Sequence, residues 1–248
     1  MEKKRLDQIL LERGLVESKS RAQALILSGS VEVDGRVVDK AGRRFPKDVK
    51  IRIRSEGLTY VSRGGLKLEA AIEHFGIDVS EKVALDVGAS TGGFSDCLLK
   101  MGARRVYAVD VGYGQLHWRL RNDPRVVVME RVNARYLRPD MFEELPELAV
   151  VDVSFISLRL ILPAVFNVLT GHKETLALVK PQFEVARDEV GKRGVVRDPL
   201  LHERVLEEIA HVGRSQGLWV SRPFVSPLLG PKGNKEFFLH FRIKEGLN

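Results

Sequence analysis

Apolar residues along the chain follow two regimes. From residue 83 onward, short runs rich in aliphatic and β-branched residues recur: Val83 to Val87, Arg105 to Asp110, Val126 to Glu130, Leu148 to Val153 and Thr175 to Lys180. Between most of them lie stretches whose apolar positions return every three or four residues, including Leu158 to Leu169 and Pro199 to Gln216. A continuous apolar run suits a strand buried on both faces of a parallel sheet, and the helical stretches suit its crossovers. The alternation predicts an α/β fold built on a doubly wound, Rossmann-like sheet. Leu218 to Phe224 and Glu236 to Ile243 read as two later strands. The loop from Pro227 to Asn234 is too short for a crossover helix, which makes the last pair antiparallel.

The N-terminal segment has a different rhythm. Leu6, Ile9 and Leu10 fall on one helical face, Gly14 closes that helix, and Ser18-Lys19-Ser20-Arg21 opens a second one carrying Ala22, Leu25 and Ile26. After Gly29, Val31 to Val38 reads as a hairpin turning at Asp34-Gly35. Two helices and a hairpin make a small α+β module over residues 1–54. Residues 55–65 form a linker, with turn-formers Ser55, Glu56 and Gly57, a short strand expected at Thr59 to Val61, and the loosening Ser62-Arg63-Gly64-Gly65. The body, 66–248, then opens with a helix from Leu66 to Phe75 that carries Lys67.

Charge separates the same two parts. The chain carries +7 in 248 residues, and +6 of it falls within the first 54. A compact basic module in front of a nearly neutral body is suited to deliver a polyanion, because lysine and arginine neutralise phosphates and release counterions. A hydrophobic content of 44% provides for a core, and the single Cys97 excludes an intrachain disulfide and a multi-cysteine zinc site. Cys97 itself is expected in the core, beside Phe94, Leu98 and Met101. No run approaches the ~20 apolar residues of a membrane span, and the N-terminus leads into mixed charge. These features point to a cytoplasmic protein.

Chemistry concentrates where strands end. Leu85 to Phe94 reads as strand, glycine-rich turn and helix, with Gly88, Gly92 and Gly93 freeing the backbone to approach a ligand. The spacing Asp86-x-Gly88-x-Ser90-x-Gly92-Gly93 departs from the dinucleotide fingerprint, which disfavours a nicotinamide enzyme. It resembles the first motif of class I S-adenosylmethionine methyltransferases, with Ser90 in place of the middle glycine. Asp110 closes the next apolar run, where an acid can accept from both ribose hydroxyls. A purely structural strand-to-helix turn is the alternative for this segment. Further on, Asp152 and Lys180 close two successive apolar runs, and neighbouring strands would bring them together. Lys180-Pro181-Gln182-Phe183 lacks the Asn/Asp-Pro-Pro-Tyr/Phe pattern of amine-directed DNA methyltransferases, so a hydroxyl acceptor fits better.

Longer stretches carry two further resemblances. The order of helices, hairpin and basic positions over residues 3–50, with Arg5-Leu6-Asp7 and Ser20-Arg21-Ala22-Gln23, resembles the alpha-L RNA-binding domain of the ribosomal protein S-four type. That likeness implies that Arg5, Lys19, Ser20, Arg21, Gln23 and Lys40 face RNA phosphates. Lys67 in Ser-Arg-Gly-Gly-Leu-Lys-Leu, Asp152 in Val-Val-Asp-Val-Ser-Phe, Lys180 in Val-Lys-Pro-Gln-Phe and Glu236 in Gly-Asn-Lys-Glu-Phe-Phe match the Lys-Asp-Lys-Glu tetrad of FtsJ-like ribose methyltransferases. Nearly the whole chain is therefore similar to the TlyA-type family, ribosomal RNA cytidine-2′-O-methyltransferases that also carry the name hemolysin. Some members have a tryptophan near the position of Tyr60.

The resemblance implies a Rossmann-like class I methyltransferase sheet preceded by a small α+β RNA-binding domain. It also implies S-adenosylmethionine as cofactor and ribosomal RNA or ribosomal subunits as partner. Asp86, Gly88, Ala89, Ser90, Gly92, Gly93, Phe94, Asp110 and Asn133 would form the methyl-donor site, and Lys67, Asp152, Lys180 and Glu236 the catalytic one. Lys180 has two readings. As a base it must first lose its proton, which Lys67 and a sulfonium favour and Asp152 and Glu236 oppose. Otherwise it orients the hydroxyl while the proton leaves late, to water or a carboxylate. Two other function classes compete. A non-catalytic ribosome-assembly factor would keep the basic module yet has no need of Asp86, Lys180 and Glu236, and a cytolysin needs an amphipathic or spanning apolar segment that does not stand out.

Overall fold

The computed structural model describes residues 3–16, 18–27, 29–38, 40–53 and 60–244. It divides into two compact units, residues 1–66 and 67–248. The expected linker segment from 55 to 59 and the side chains of Ser20 and Arg21 lie outside the described residues.

In the first unit, β1 (Lys3–Arg5) leads directly into α1 (Leu6–Glu12), followed by α2 (Lys19–Leu27) and the hairpin β2 (Val31–Val33) and β3 (Arg36–Val37). Asp34 and Gly35 both have positive φ, 50° and 75°, the backbone signature of a type I′ turn. Three strands go beyond the sequence reading, β1 among them. β4 (Arg44–Pro46) pairs antiparallel with β1, and β5 (Ile51–Ile53) pairs antiparallel with β2. Leu6, Leu10, Ile26, Val31 and Val33 form the core between helices and strands. Within it lies a wholly buried carboxylate. Asp7 accepts from Arg5 at 3.0 and 2.7 Å, from Gln23 Nε2 at 3.1 Å and from the Gln8 amide at 3.0 Å, so β1, α1 and α2 meet on one charge. Arg5 above all holds the Asp7 carboxyl down to about 2. Tyr60 and Val61 lie in a bend, not in the expected strand, and the Tyr60 ring is buried because it fills the space left by the missing side chain of Gly65.

The second unit is built on one sheet. α3 (Gly64–Phe75) runs into it, and the alternation of β6 (Val83–Val87), α4 (Gly93–Lys100), β7 (Arg105–Asp110), α5 (Trp118–Arg121), β8 (Val126–Glu130), β9 (Leu148–Val151), α6 (Leu162–Val168), β10 (Glu174–Val179) and α7 (Pro199–Ser215) follows. The chain ends with β11 (Leu218–Val220), β12 (Phe224–Val225) and β13 (Phe237–Ile243). The strand order is β11-β13-β10-β9-β6-β7-β8, with β12 also pairing β13. β10, β9, β6, β7 and β8 are parallel, and β13 runs antiparallel between β10 and β11, as the short preceding loop requires. β13 shows how both faces are covered. Phe237, Leu239 and Phe241 join the core with α6 and α7, whereas Phe238 meets Phe94 of α4 and His240 meets Phe75 of α3. Cys97 is buried. No helix among the described residues is long and apolar enough to cross a membrane.

Two expected elements are broken by proline. The stretch from Leu158 to Leu169 becomes a short 3₁₀ turn, Leu158–Leu160, and a new helix that restarts with Pro163 in its first turn. The run from Leu218 to Phe224 splits into β11 and β12 around Pro223, which has no N–H for a ladder.

Asp86, near the end of β6, is fully buried, and its Oδ2 accepts from Ser95 Oγ of α4 at 2.6 Å. Burial raises its pKa from 3.8 to about 7 against that hydrogen bond, with the Asp152 charge adding to the rise. The two buried acids make opposite predictions. A lowered folded-state pKa means that the Asp7 contribution is complete above pH 3.8 and is lost as pH falls through about 2. Asp7→Ala is expected to cost about 1–3 kcal/mol at neutral pH in urea denaturation, the scale of hydrogen bonds to a charged group. A raised one makes Asp86 erode stability as pH rises from 3.8 through about 7. Asp86→Asn is expected to flatten that decline, measured as melting temperature against pH.

Candidate active site

The sheet reverses its strand order at β6, which has β7 on one side and β9 on the other, and a cavity of about 620 Å³ opens beyond the strand ends there. Its walls come from the ends of β6, β7, β8 and β9. Gly88 leaves β6 at φ +86° with its amide donating to the Val109 carbonyl at 2.8 Å, and a side chain at this position would run into the carbonyl of Asp152. Gly92, at φ +92°, caps α4, and a side chain there would meet Leu116 and Leu120. Asp110 stitches two turns together. Its Oδ2 accepts from the Ser90 amide at 2.8 Å and its Oδ1 from the Gly112 amide at 2.7 Å.

Of the residues expected around a methyl donor, Gly88, Ser90, Asp110 and Asn133 line this cavity, and Asp152 joins them. Asp86, Ala89, Gly92, Gly93 and Phe94 are not part of its lining. Asp86 is buried on Ser95, and Phe94 is buried with its ring 6.3 Å from that of Phe238, so these two support the turn from behind. Asn133 Oδ1 is engaged by the Arg135 amide at 3.1 Å. Three lining residues with polar or aromatic side chains were not expected at the site. Gln115 approaches Ser90 Oγ at 3.4 Å, Ser154 follows Asp152 by two positions, and Phe155 stands at the cavity with 90% of its surface exposed and φ at +64°. Serine, glutamine and phenylalanine in loops carry no distinguishing pattern.

Four charged residues meet at the adjoining strand ends. Lys180 follows β10 directly and pairs with Asp152, which follows β9, while its Nζ also donates to Ser154 Oγ at 3.0 Å. Lys67 of α3 pairs with Glu236 at 2.6 Å, and the Glu236 side chain is wholly buried. Val179 faces Phe237 across the antiparallel β10–β13 pair, which places Lys180 and Glu236 at the next positions on neighbouring strands. The result is two ion pairs of opposite direction, side by side. Burying Glu236 is tolerable because Lys67 compensates it.

In the first unit, the residues expected to face RNA separate. Arg5 and Gln23 are committed to Asp7, whereas Lys19 and Lys40 are exposed.

Comparison with known proteins agrees with this architecture. The FtsJ-like methyltransferase family matches residues 60–243, and the S4 domain matches residues 4–49. The Bacillus subtilis protein named "Putative rRNA methyltransferase YqxC" is 48% identical over 96% of this chain and 85% of its own length. The Mycobacterium tuberculosis 16S/23S rRNA (cytidine-2′-O)-methyltransferase TlyA is 44% identical over 97% of this chain and 90% of its own. A solved structure described as a "Putative hemolysin from Streptococcus thermophilus" superimposes with a TM-score of 0.77 at 43% identity, covering 99% of this chain and 90% of that one. With a sheet of methyltransferase order and a family match over most of its length, the chain belongs to the FtsJ-like methyltransferases and carries an N-terminal S4 domain.

Proposed function

We propose that this protein methylates the 2′-hydroxyl of a cytidine in ribosomal RNA, with S-adenosylmethionine as donor, in the cytoplasm. The observation that carries the reading is the cluster of Lys180, Asp152 and Ser154 beside the Lys67–Glu236 pair, next to the cavity at the strand ends. Its relatives include a 16S/23S rRNA (cytidine-2′-O)-methyltransferase. A non-catalytic assembly factor has no use for two compensated ion pairs at that cavity.

The cavity suits the cofactor. Gly88 lets the turn after β6 lie against the Asp152 carbonyl, where no Cβ fits, and the Asp110 carboxylate is held rigid by two backbone amides, with lone pairs remaining for ribose hydroxyls. When bound, S-adenosylmethionine supplies an electrophilic methyl group on a sulfonium. Gly88, Ser90, Asp110 and Asn133 hold it in this reading.

The chain's own residues then have to place an oxygen. An ammonium has three N–H groups; Asp152 and Ser154 engage two of those of Lys180, and the third serves the acceptor hydroxyl. The ion pair with Asp152 favours Lys180 as the group that orients the hydroxyl, with the proton leaving late, to Asp152 or to water. Lys67 and Glu236 brace the start of β13 beside it. Exposed basic residues of the N-terminal 54, Lys19 and Lys40 among them, contact RNA phosphates and so bring the substrate to the site.

Purified protein is expected to transfer label from S-adenosylmethionine to ribosomal subunits, with the modified position mapped as a 2′-O-methyl block to alkaline hydrolysis. Absence of label in both subunits would refute the assignment. Lys180→Ala is expected to lower kcat by about 10²–10⁴-fold while the donor Kd, measured by calorimetry, stays within about 2-fold. Gly88→Ala is expected to do the reverse in part, weakening donor binding by at least ~10-fold through displacement of the turn.

A further inference from the structure

The loop after β9 and the loop after β10 are joined at two places, and only one of them belongs to the ion-pair cluster. At the first, Lys180 reaches Asp152 and Ser154. At the second, the chain beyond Lys180 turns through Pro181–Phe183 and brings in Glu184, whose side chain is 2% exposed. Its Oε2 accepts from Ser157 Oγ at 2.5 Å and its Oε1 from the Leu158 amide at 2.8 Å. Between the two joints lies Phe155, held at φ +64° with its ring 4.9 Å from that of Phe183. A phenylalanine in the left-handed region carries a conformational cost and persists only where the flanking structure fixes it from both sides.

We infer that Glu184 is a positioning residue, whose carboxylate latches the loop bearing Asp152, Ser154 and Phe155 onto the loop bearing Lys180 and thereby sets turnover. The inference rests on the methyl-transfer reading for its kinetic consequence, while the latch itself is a property of the unliganded chain. The side-chain hydrogen bonds of Glu184 come from Ser157 and Leu158, neither of which lines the cavity near Gly88 and Asp110. It acts through loop geometry, so donor affinity is spared.

The hydrogen-bond directions make the carboxylate necessary. Ser157 Oγ accepts from the Arg159 amide and from Arg159 Nε, both at 3.2 Å, so its two lone pairs are occupied and its single proton goes to Glu184. A glutamine of the same shape offers one oxygen where two donors converge, and its amide would confront a hydroxyl with no acceptor capacity left. Glu184→Gln therefore opens the latch with little change in volume. Ser157→Ala removes the same contact from the other loop.

The test uses the full-length protein, S-adenosylmethionine and purified ribosomal subunits. Glu184→Gln and Ser157→Ala are each expected to lower kcat by at least ~10-fold, since small misplacements of reacting groups cost this much or more. Their S-adenosylmethionine Kd is expected to stay within about 2-fold, and the double variant to be no slower than the worse single one, as for two halves of one contact. Hydrogen exchange of the 153–160 backbone, measured without cofactor, is expected to quicken in both. Wild-type kcat in a folded Glu184→Gln, or a lowered melting temperature with unchanged kcat and unchanged loop exchange, overturns the inference. If Glu184→Gln fails to fold, Ser157→Ala decides by the same readouts. A wild-type protein that labels neither subunit refutes the methyl-transfer reading instead, and the exchange arm then still decides whether the latch exists.

Discussion

Where β6 and β9 lie side by side, the backbone at Gly88 meets the carbonyl of Asp152 so closely that no Cβ fits between them. That contact is the hinge of the arrangement. It follows from the reversal of strand order, which brings the ends of two non-consecutive strands side by side. Because the turn after β6 is packed against the residue that pairs with Lys180, the wall of the cavity and the charged cluster share one piece of backbone.

The charges are organised by the same constraint. Parallel β9 and β10 deliver an acid and a base to one edge of the sheet, and antiparallel β13 returns a second acid beside them. Helix α3 then supplies Lys67 to the buried Glu236. Neither acid is left unpaired, which is the condition under which a low-dielectric site can hold carboxylates at all. Asp86, within β6, lacks a cationic partner among the described residues and is displaced toward its neutral form, held by Ser95.

Much of this was legible in the sequence because the relevant signals are local or repeat along the chain. Val83 to Val87, Arg105 to Asp110 and Val126 to Glu130 are strands over those residues, and the Asp34-Gly35 turn announces its own geometry. Lys180 and Asp152 close neighbouring apolar runs, so their meeting followed from sheet topology. The rest depends on distant partners. β1 and β4 are short and polar, and each is a strand only because the other is present. Phe94 has the spacing of a core residue, and the core claims it. Glu184 appears in sequence as one more acid shortly after a strand end, and its role emerges only once Ser157 and Leu158 are seen against it.

The buried Asp7 has a bearing on how the N-terminal unit meets a polyanion. Arg5 contributes a full positive charge to the composition, yet its guanidinium already faces a carboxylate in a two-bond fork, and Gln23 leans on the same oxygen. Around such a neutralised pair few counterions condense, so few are released when RNA arrives. The effective valence of the module is therefore set by its free lysines and arginines and is smaller than the count of its cations, which leaves Arg5 as part of the scaffold that presents them.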